Sequence, residues 1–358
     1  EEKAVYENLE ITELDNSEVE ISAELGADAF KPYRAKALKK FGENAKIDGF
    51  RPGHIPEHVL VGRVGEDAIL QEAAELALSD MYPQIVLNEK LNVIGRPQIT
   101  LTKLAKDNPL GFKIVTPVLP TFELPAYKKI AAREMAKKED IEVSEKEVEE
   151  VVLDIQKTRV LSELKQKDPN TEKTLKDISD KDVIPLTDED AKTFGDFQTV
   201  ADFKKQIKEN LVKEKQSRER EKKRVGMSEE IIKETKMTVP EVLVESELQK
   251  MLAQFKDDIT RMGMEFEQYL KHIDKTEEKL RQEWNGAAER RARLQLIINK
   301  IAQEEKIVPE KGEVERNVNH LLEHHKDADP ERVRVYVESI VLNEKVFEFL
   351  EKQKDPAK

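Results

Sequence analysis

Two of the six histidines, His320 and His324, lie four residues apart in a stretch whose apolar spacing predicts a helix. At this spacing both imidazole rings lie on one face of the helix, where they could bind a zinc ion. The sequence contains no cysteine and no His-Glu-x-x-His arrangement that would complete such a site. We therefore interpret the pair as ordinary surface residues, and we expect neither a metal site nor a cofactor.

The remaining residues that could act in catalysis form no recognisable site. The 74 acidic residues are spread along the chain, so the sequence singles out no acid–base pair. The 13 glycines are scattered and form no Gly-x-x-x-x-Gly-Lys loop that would bind phosphates. Nothing indicates a nucleophilic triad of serine, histidine and aspartate. We therefore predict no catalytic residues and a protein that is not an enzyme.

Residues 49–56 have the most specific composition of the chain and read Gly-Phe-Arg-Pro-Gly-His-Ile-Pro. Two glycines and two prolines exclude a helix or a central strand, so the segment is a loop with few allowed shapes. Such a loop can present an aromatic ring and a guanidinium to a partner with little loss of entropy. We predict a docking loop formed by Gly49, Phe50, Arg51, Pro52, Gly53, His54 and Pro56. The alternative is that Phe50 packs into the core of its own domain.

The composition favours several domains that are rich in long helices. The 358 residues suggest two or three domains, and 38% of the residues are charged whereas 5% are aromatic. The net charge of −13 argues against non-specific binding to nucleic acid, and we expect no sequence-specific nucleic-acid partner. The sequence contains no run of about 18 apolar residues, so we predict no membrane-spanning helix. The first residues contain no apolar signal core, although a removed signal peptide stays open as an alternative.

Residues 1–118 are predicted to form an α+β domain with a small antiparallel sheet, because strands and helices occur there without regular alternation. Apolar and polar residues alternate over 5–25, which predicts two strands. Asp15-Asn16-Ser17 between them has the composition of a turn. Further strands are predicted near 92–99 and 112–118.

Two helices are predicted within the same domain. The first covers residues 27–41 and should end at Gly42, since glycine is common just beyond a helix. A short apolar turn is predicted at 59–61. The second helix covers 65–91, and Pro83 should kink or split it.

The rest of the chain is predicted to be helical. Three prolines between residues 116 and 127 predict an extended connector. The helix predicted over 141–161 begins where Ser144 and Glu147 have capping-box spacing. Further helices are predicted over 200–227, 239–262, 264–272, 291–303, 314–325 and 330–352.

The second half of the 200–227 helix, residues 213–224, is almost wholly charged. One interpretation is a basic helix that binds nucleic acid. Because glutamates are mixed with the lysines and arginines, we favour a solvated face with ion pairs between residues four apart.

Four stretches of the sequence resemble trigger factor, a family of bacterial ribosome-associated chaperones. The family's Gly-Phe-Arg-x-Gly-x-x-Pro signature is matched by residues 49–56, with His54 where the family usually has lysine. Residues 185–195, which begin Pro-Leu-Thr-Asp-Glu, are similar to the segment that leads into the family's helical body. Tyr269-Leu270-Lys271 and residues 296–307 are close to the family's C-terminal domain. The resemblance covers nearly the whole chain apart from its middle.

The resemblance implies an α+β ribosome-binding domain followed by an elongated all-α C-terminal domain with arms. It implies that the loop at 49–56 touches the large ribosomal subunit at the tunnel exit, with Phe50 as the buried contact and Arg51 as the charged one. It further implies an ATP-independent chaperone that transiently binds nascent and unfolded polypeptides. The expected location is the bacterial cytoplasm, partly on ribosomes, with a homodimer away from them.

The chain departs from the family in its middle, where most members insert a prolyl isomerase domain that resembles FKBP. Residues 162–183 are too few for a domain, which needs about 50 residues to bury a core. We therefore predict that the isomerase domain is absent. The predicted organisation is a ribosome-binding domain (1–118), a connector with the first body helix (119–161), a short linker (162–183) and a helical substrate-binding body (184–358).

A methionine-rich stretch is the predicted substrate surface. Met262, Met264 and Phe266 are candidates for a cradle, because flexible and polarizable methionines suit surfaces that accept many partners. For the nearby Met251 we favour ordinary packing between helices. Three alternatives stay open: a ribosome-independent, periplasmic folding chaperone or holdase with a similar body; a residual isomerase within 162–183; and a purely structural scaffold.

Overall fold

The computed structural model describes residues 6–45, 50, 51, 53–139, 141–168 and 171–354. The chain forms two compact units, and each unit combines two separate stretches of sequence. The first unit comprises Glu1–Leu124 and Thr235–Lys300, and the second comprises Pro125–Glu234 and Ile301–Lys358.

Four strands and twelve helices form the described part of the chain. The strands are β1 (Tyr6–Leu14), β2 (Glu18–Leu25), β3 (Gln98–Lys103) and β4 (Leu110–Pro117). The helices are α1 (Ala27–Asn44), α2 (Glu57–Val64), α3 (Glu66–Asn88), α4 (Tyr127–Met135), α5 (Glu145–Lys167), α6 (Asp188–Thr193), α7 (Val200–Glu234), α8 (Glu241–Arg261), α9 (Phe266–His272), α10 (Glu277–Glu305), α11 (Lys311–His324) and α12 (Pro330–Glu351).

The sheet lies in the first unit and has the order β1-β2-β4-β3, with every pair antiparallel. Alternate residues of a strand point to one face, and in β2 these are the buried Val19, Ile21, Ala23 and Leu25. They pack with α1 and α3 into one core, in which Phe112 of β4 lies opposite Ala23. The structure confirms the predicted small antiparallel sheet within an α+β region and the helical region that follows.

Two local predictions in the first unit are wrong, and the predicted split of α3 at Pro83 does not occur. Helix α1 does not end at Gly42 but continues to Asn44, and Gly42 is buried. A Cβ at this position would lie 3.3 Å from Cδ1 of Leu60, so the glycine serves close packing of α1 on α2. The apolar stretch at 59–61 is part of α2 and not a turn. Helix α3 passes through Pro83 without being split.

The second unit contains a helix that the sequence did not predict. Three prolines between 116 and 127 predicted an extended connector, but α4 begins at Tyr127, directly after the last of them. Its buried Ile130, Ala131 and Ala132 hold it in the unit. Helix α5 has the predicted capping box, in which the Ser144 backbone N–H donates to Glu147 Oε2 at 2.8 Å. It continues to Lys167, six residues beyond the predicted end.

Residues 171–187, the junction segment, are held along α5 by polar contacts. Lys157 Nζ lies 2.5 Å from Asp180 Oδ1, and Gln156 Nε2 donates to the Ile184 carbonyl at 2.9 Å. Ile178 is buried. The segment predicted to be a linker is therefore attached to the preceding helix.

Helices α7 and α10 are longer than predicted. Helix α7 ends at Glu234 and not at 227, and α10 begins at Glu277 and not at 291. The charged run at 213–224 is only partly the solvated face that we expected. Lys223 and Arg224 are largely buried and form ion pairs with other parts of the second unit.

Candidate functional site

The described part of the predicted docking loop comprises Phe50, Arg51 and residues 53–56, which we call the 50–56 loop. Gly49 and Pro52, which were also predicted to belong to the site, lie outside the described residues. The Phe50 side chain is 40% exposed and is not a member of the core beneath it. Arg51, Gly53, His54 and Pro56 are exposed as well. The loop therefore presents an aromatic ring and a guanidinium to solvent side by side.

Backbone hydrogen bonds fix the conformation of the 50–56 loop. The His54 N–H donates to the Arg51 carbonyl at 3.0 Å, and Gly53 has a φ of 83°. A positive φ three residues into such a turn favours glycine, since a Cβ would be strained there. The Gly53 N–H donates to the Gly42 carbonyl of α1 at 2.8 Å. The turn is thus bonded both to itself and to the preceding helix.

The far side of the loop is anchored in the core by its apolar residues. Ile55 is buried, and so is Leu60 in the first half of α2. The Pro56 carbonyl accepts from Val59 N–H at 3.0 Å and begins α2. The residues after Arg51 are therefore held by hydrogen bonds and by the burial of Ile55.

Arg34 of α1 holds the helices that flank the loop. Its Nη1 lies 2.8 Å from Glu57 Oε1, while Nε and Nη2 bind the two carboxylate oxygens of Glu66 at 2.6 and 2.8 Å. These hydrogen bonds lower the pKa of Glu66, although burial alone would raise it. A bidentate pair of this kind adds geometric specificity as well as energy. The sequence does not indicate this role, because nothing in it connects residues 32 positions apart.

Among the described residues, the charges around the loop leave Arg51 without an ion-pair partner. The lysines of α1 are engaged within the first unit: Lys36 lies 3.8 Å from Asp80, Lys39 lies 4.0 Å from Glu43, and Lys40 pairs with Glu72. Within the described ranges, no carboxylate forms an ion pair with Arg51. As far as the described residues show, its guanidinium is available to a carboxylate or a phosphate of a partner.

The methionine-rich stretch lies between α8 and α9. Met262 and Met264 are 61% and 42% exposed and flank Gly263, whose φ is 76°. Phe266 differs from them, because its ring packs edge-on against Phe255 at a centroid distance of 6.1 Å. Two of the three predicted cradle residues therefore face solvent, while the third also supports the packing of α9 on α8.

Met251 and the histidines have ordinary surroundings. Met251 packs against the buried cluster of α8 and α10, which confirms the interpretation as packing between helices. The rings of His320 and His324 lie 4.9 Å apart by centroid. Across the described ranges, no three His, Asp or Glu side chains come together as a metal site, and no helix is long and apolar enough to span a membrane.

Comparisons with known proteins agree with the fold. The family model "Bacterial trigger factor protein (TF)" matches residues 7–155, and "Bacterial trigger factor protein (TF) C-terminus" matches residues 199–354. Neither of these matches includes residues 156–198. Trigger factor from Halothermothrix orenii is 25% identical over 402 aligned positions, which cover 91% of this chain and 92% of that protein. Trigger factor from Clostridium kluyveri is 21% identical, and the alignment covers 96% of this chain and 98% of that protein.

A solved structure described as "Promiscuous Substrate Recognition in Folding and Assembly Activities of the Trigger Factor Chaperone" has a similar fold. It aligns with a TM-score of 0.52 at 18% sequence identity, and the alignment covers 96% of this chain and 99% of that one. At this identity the match concerns the fold alone. The two family models together account for most of the sequence, and we conclude that the chain belongs to the trigger factor family.

Proposed function

We propose that this chain is an ATP-independent molecular chaperone that docks at the ribosomal tunnel exit and transiently binds nascent or unfolded polypeptides. The observation that carries the proposal is the half-exposed Phe50 beside Arg51, which has no ion-pair partner among the described residues, on a loop held through the hydrogen bond from Gly53 to Gly42. The family to which the chain belongs supports the choice of partner. The proposed location is the bacterial cytoplasm, partly on ribosomes, with a homodimer away from them.

The physical argument for docking rests on the fixed loop. Binding is weakened by the entropy lost when flexible groups are ordered, and a loop that is already ordered avoids much of this loss. Aromatic residues and arginine are the side chains that most often dominate binding energy. Phe50 would enter an apolar depression of the large subunit, and Arg51 would bind a phosphate or carboxylate beside it.

The proposed holding activity needs surfaces that accept varied sequences. Met262 and Met264 are exposed at the turn between α8 and α9, where their flexible side chains can adapt to different apolar segments. Weak binding that lowers the concentration of free unfolded chain reduces aggregation without a chemical energy source.

The test of docking is co-sedimentation with salt-washed bacterial ribosomes. The Phe50→Ala/Arg51→Ala variant is expected to bind at least about tenfold more weakly, since both proposed hot-spot side chains are lost. The matched control is Val308→Ala/Arg332→Ala, which removes an exposed apolar side chain and an exposed arginine from the second unit. Circular dichroism checks that both variants are folded. Unchanged binding of the loop variant would overturn the docking site, and a wild-type protein that does not pellet would favour a ribosome-independent holdase.

We also propose that the chain lacks prolyl isomerase activity. Residues 156–198 lie outside both family-model matches, and the junction segment within them is attached to α5. The alignment with the Halothermothrix orenii protein, at 402 positions, is longer than the chain, so that protein has segments with no counterpart here. A refolding assay limited by proline isomerisation is expected to show no acceleration above buffer. Catalysis in that assay would contradict the proposal.

A further inference from the structure

The two edges of the sheet in the first unit differ in how they are protected. Strands β1 and β3 are the edge strands, and each pairs with one neighbour among the described residues. An edge strand exposes unpaired backbone N–H and C=O groups, to which another chain can add as a further strand. Proteins usually prevent this with charged side chains, bulges or prolines on the edge.

Strand β1 has such protection. Glu7, Glu10 and Glu13 place three carboxylates along it, and its pairing with β2 is shifted between Glu7 and Glu10. Asn8 within this irregular part has a φ of 54°. A bulged and negatively charged edge is a poor template for an incoming strand.

Strand β3 is less protected than β1, because its pairing with β4 is shifted only near its end, between Leu101 and Lys103. Its sequence is Gln-Ile-Thr-Leu-Thr-Lys, and the single charge at Lys103 is paired with Glu24 of β2. Ile99, the second residue of the strand, is 46% exposed. In the part of the chain that the structure describes, β4 alone pairs with β3. The strand therefore offers both free backbone groups and an apolar side chain.

A groove with apolar and polar lining lies between β3 and α3. A cavity of about 670 Å³ lies there. Its apolar lining consists of Ala74, Leu78 and Tyr82 of α3, Ile99 and Leu101 of β3, and Pro97 directly before β3, while Gln71, Glu75 and Ser79 of α3 add polar groups. Beyond Tyr82 a second cavity of about 600 Å³ continues along α3, where Leu87 is 77% exposed. From Gln71 to Asn88 the helix is roughly 26 Å long. This is the length of about eight residues in an extended strand.

The charges along the groove differ between its two ends. Glu75 lies beside the first cavity and Lys90 lies beside the second. Neither takes part in an ion pair with another described residue. A complementary occupant has apolar side chains in the middle, a basic side chain near Glu75 and an acidic group near Lys90.

We propose that an extended segment of an unfolded polypeptide adds to β3 as a fifth strand. Its alternate apolar side chains occupy the groove against α3, and a basic side chain lies near Glu75. Backbone hydrogen bonds supply affinity that does not depend on sequence, while the groove selects apolar side chains. The inference rests on the proposed chaperone function and gives it a substrate class and a binding site in the first unit.

The test uses a fluorescein-labelled peptide, Lys-Thr-Val-Thr-Val-Thr-Val-Thr-Glu, which places its valines and both charges on one face of a strand. Fluorescence anisotropy gives its affinity for the full-length protein. Ile99→Lys is expected to weaken binding by at least about tenfold, because a charge on the edge opposes strand addition and fills the groove. Leu14→Lys is the matched control, since Leu14 is a similarly exposed apolar residue on β1 and should leave affinity unchanged. Glu75→Lys should weaken binding by a smaller factor.

A second arm tests strand addition itself and does not depend on any protein variant. Alternate N–H groups of a strand point to the same side, so one set faces β3. N-methylation of either the valine amides or the threonine amides should therefore abolish binding, while methylation of the other set should not. Equal binding of both methylated peptides and the parent would overturn the inference.

A further assay measures suppression of the aggregation of a denatured protein. It separates the test of strand addition from the test of the proposed chaperone function. If the wild type suppresses aggregation and Ile99→Lys affects neither suppression nor peptide affinity, strand addition is wrong and the chaperone proposal stands. If the wild type neither binds the peptide nor suppresses aggregation, both are wrong. Loss of peptide affinity in Ile99→Lys together with one sensitive set of amides supports the inference.

Discussion

Replacement of Arg224 by methionine is expected to lower the free energy of unfolding of the second unit by about 3 kcal/mol at pH 7. Arg224 of α7 has a side chain only 12% exposed, and it binds two carboxylates of α12. Its Nη1 and Nη2 each lie 2.7 Å from an oxygen of Glu344, and its Nε lies 2.6 Å from Glu351 Oε1. Without the guanidinium, two partly buried carboxylates lie near each other with fewer hydrogen-bond donors. This lowers the stability of the folded state.

Arg220 supplies the matched control one helical turn away. It binds the same two carboxylates, with Nε 2.8 Å from Glu351 Oε1, but its side chain is 49% exposed. Exposed ion pairs contribute little because water screens them, so Arg220→Met should cost less than about 1 kcal/mol. Urea unfolding followed by far-ultraviolet circular dichroism measures both variants. Equal losses of unfolding free energy in the two variants would contradict the role assigned to burial.

The difference in free energy of unfolding between wild type and Arg224→Met should depend on pH. Hydrogen bonds from Arg224 lower the pKa of Glu344. Burial alone would raise the pKa of Glu351, but the hydrogen bonds of Arg220 and Arg224 lower it. A lowered folded-state pKa contributes stability above the unfolded value of about 4.3, and this contribution is lost as the pH falls through the folded value. The difference in unfolding free energy should therefore be complete at pH 7 and shrink as the pH falls below about 4.3. A difference of undiminished size at pH 3 would contradict the ionic origin.

Replacement of Gly226 by alanine should destabilise the second unit by about 2 kcal/mol, although alanine favours helices. A Cβ on Gly226 of α7 would lie 2.7 Å from Oε2 of Glu134. Glu134 belongs to α4, is buried, and pairs with Lys137 at 2.5 Å, so its carboxylate has little room to move. The helix preference of alanine is worth about 1 kcal/mol, whereas overpacking typically costs about 1–3 kcal/mol and here also disturbs a buried ion.

Gly286 of α10 provides a control of opposite sign. A Cβ there would have Arg290 Nη1 as its nearest neighbour, at 3.9 Å, so no atom must move. Gly286→Ala should therefore stabilise the protein by up to about 1 kcal/mol. Thermal unfolding of the two variants measures the contrast. Stabilisation by Gly226→Ala would show that Glu134 rearranges without cost.

Much of the local structure could be predicted because its cause is local. The alternation of β2 and the capping box at Ser144 depend on residues close in sequence, and both were found as predicted. Helix α4 was missed because the prolines before it dominated the pattern. The first half of α10 was missed because few of its residues are apolar, although Leu280 and Ala288 are buried.

The candidate sites depend more on contacts between distant residues. The loop at 49–56 was singled out by its composition, but its attachment through Arg34 joins residues far apart in sequence. Exposure of Met262 and Met264 could not be distinguished from packing by residue type, since methionine occurs in both settings. The open edge of β3 follows from the strand order, which requires the pairing of β2 with β4 across more than eighty residues.

The assembly of the first unit from two separated stretches has a consequence for its own synthesis. Ser17 Oγ donates to the Thr238 carbonyl, and its partner follows by 221 residues. At about 5–20 residues per second, the ribosome needs roughly 11–44 s to deliver that partner. The sheet can pair as soon as β4 has emerged, but the surface that receives Val242 beside Gly95 waits for α8. During this interval each nascent copy of the protein exposes surface that α8 will later cover. The completed protein is proposed to shield surface of this kind on other nascent chains.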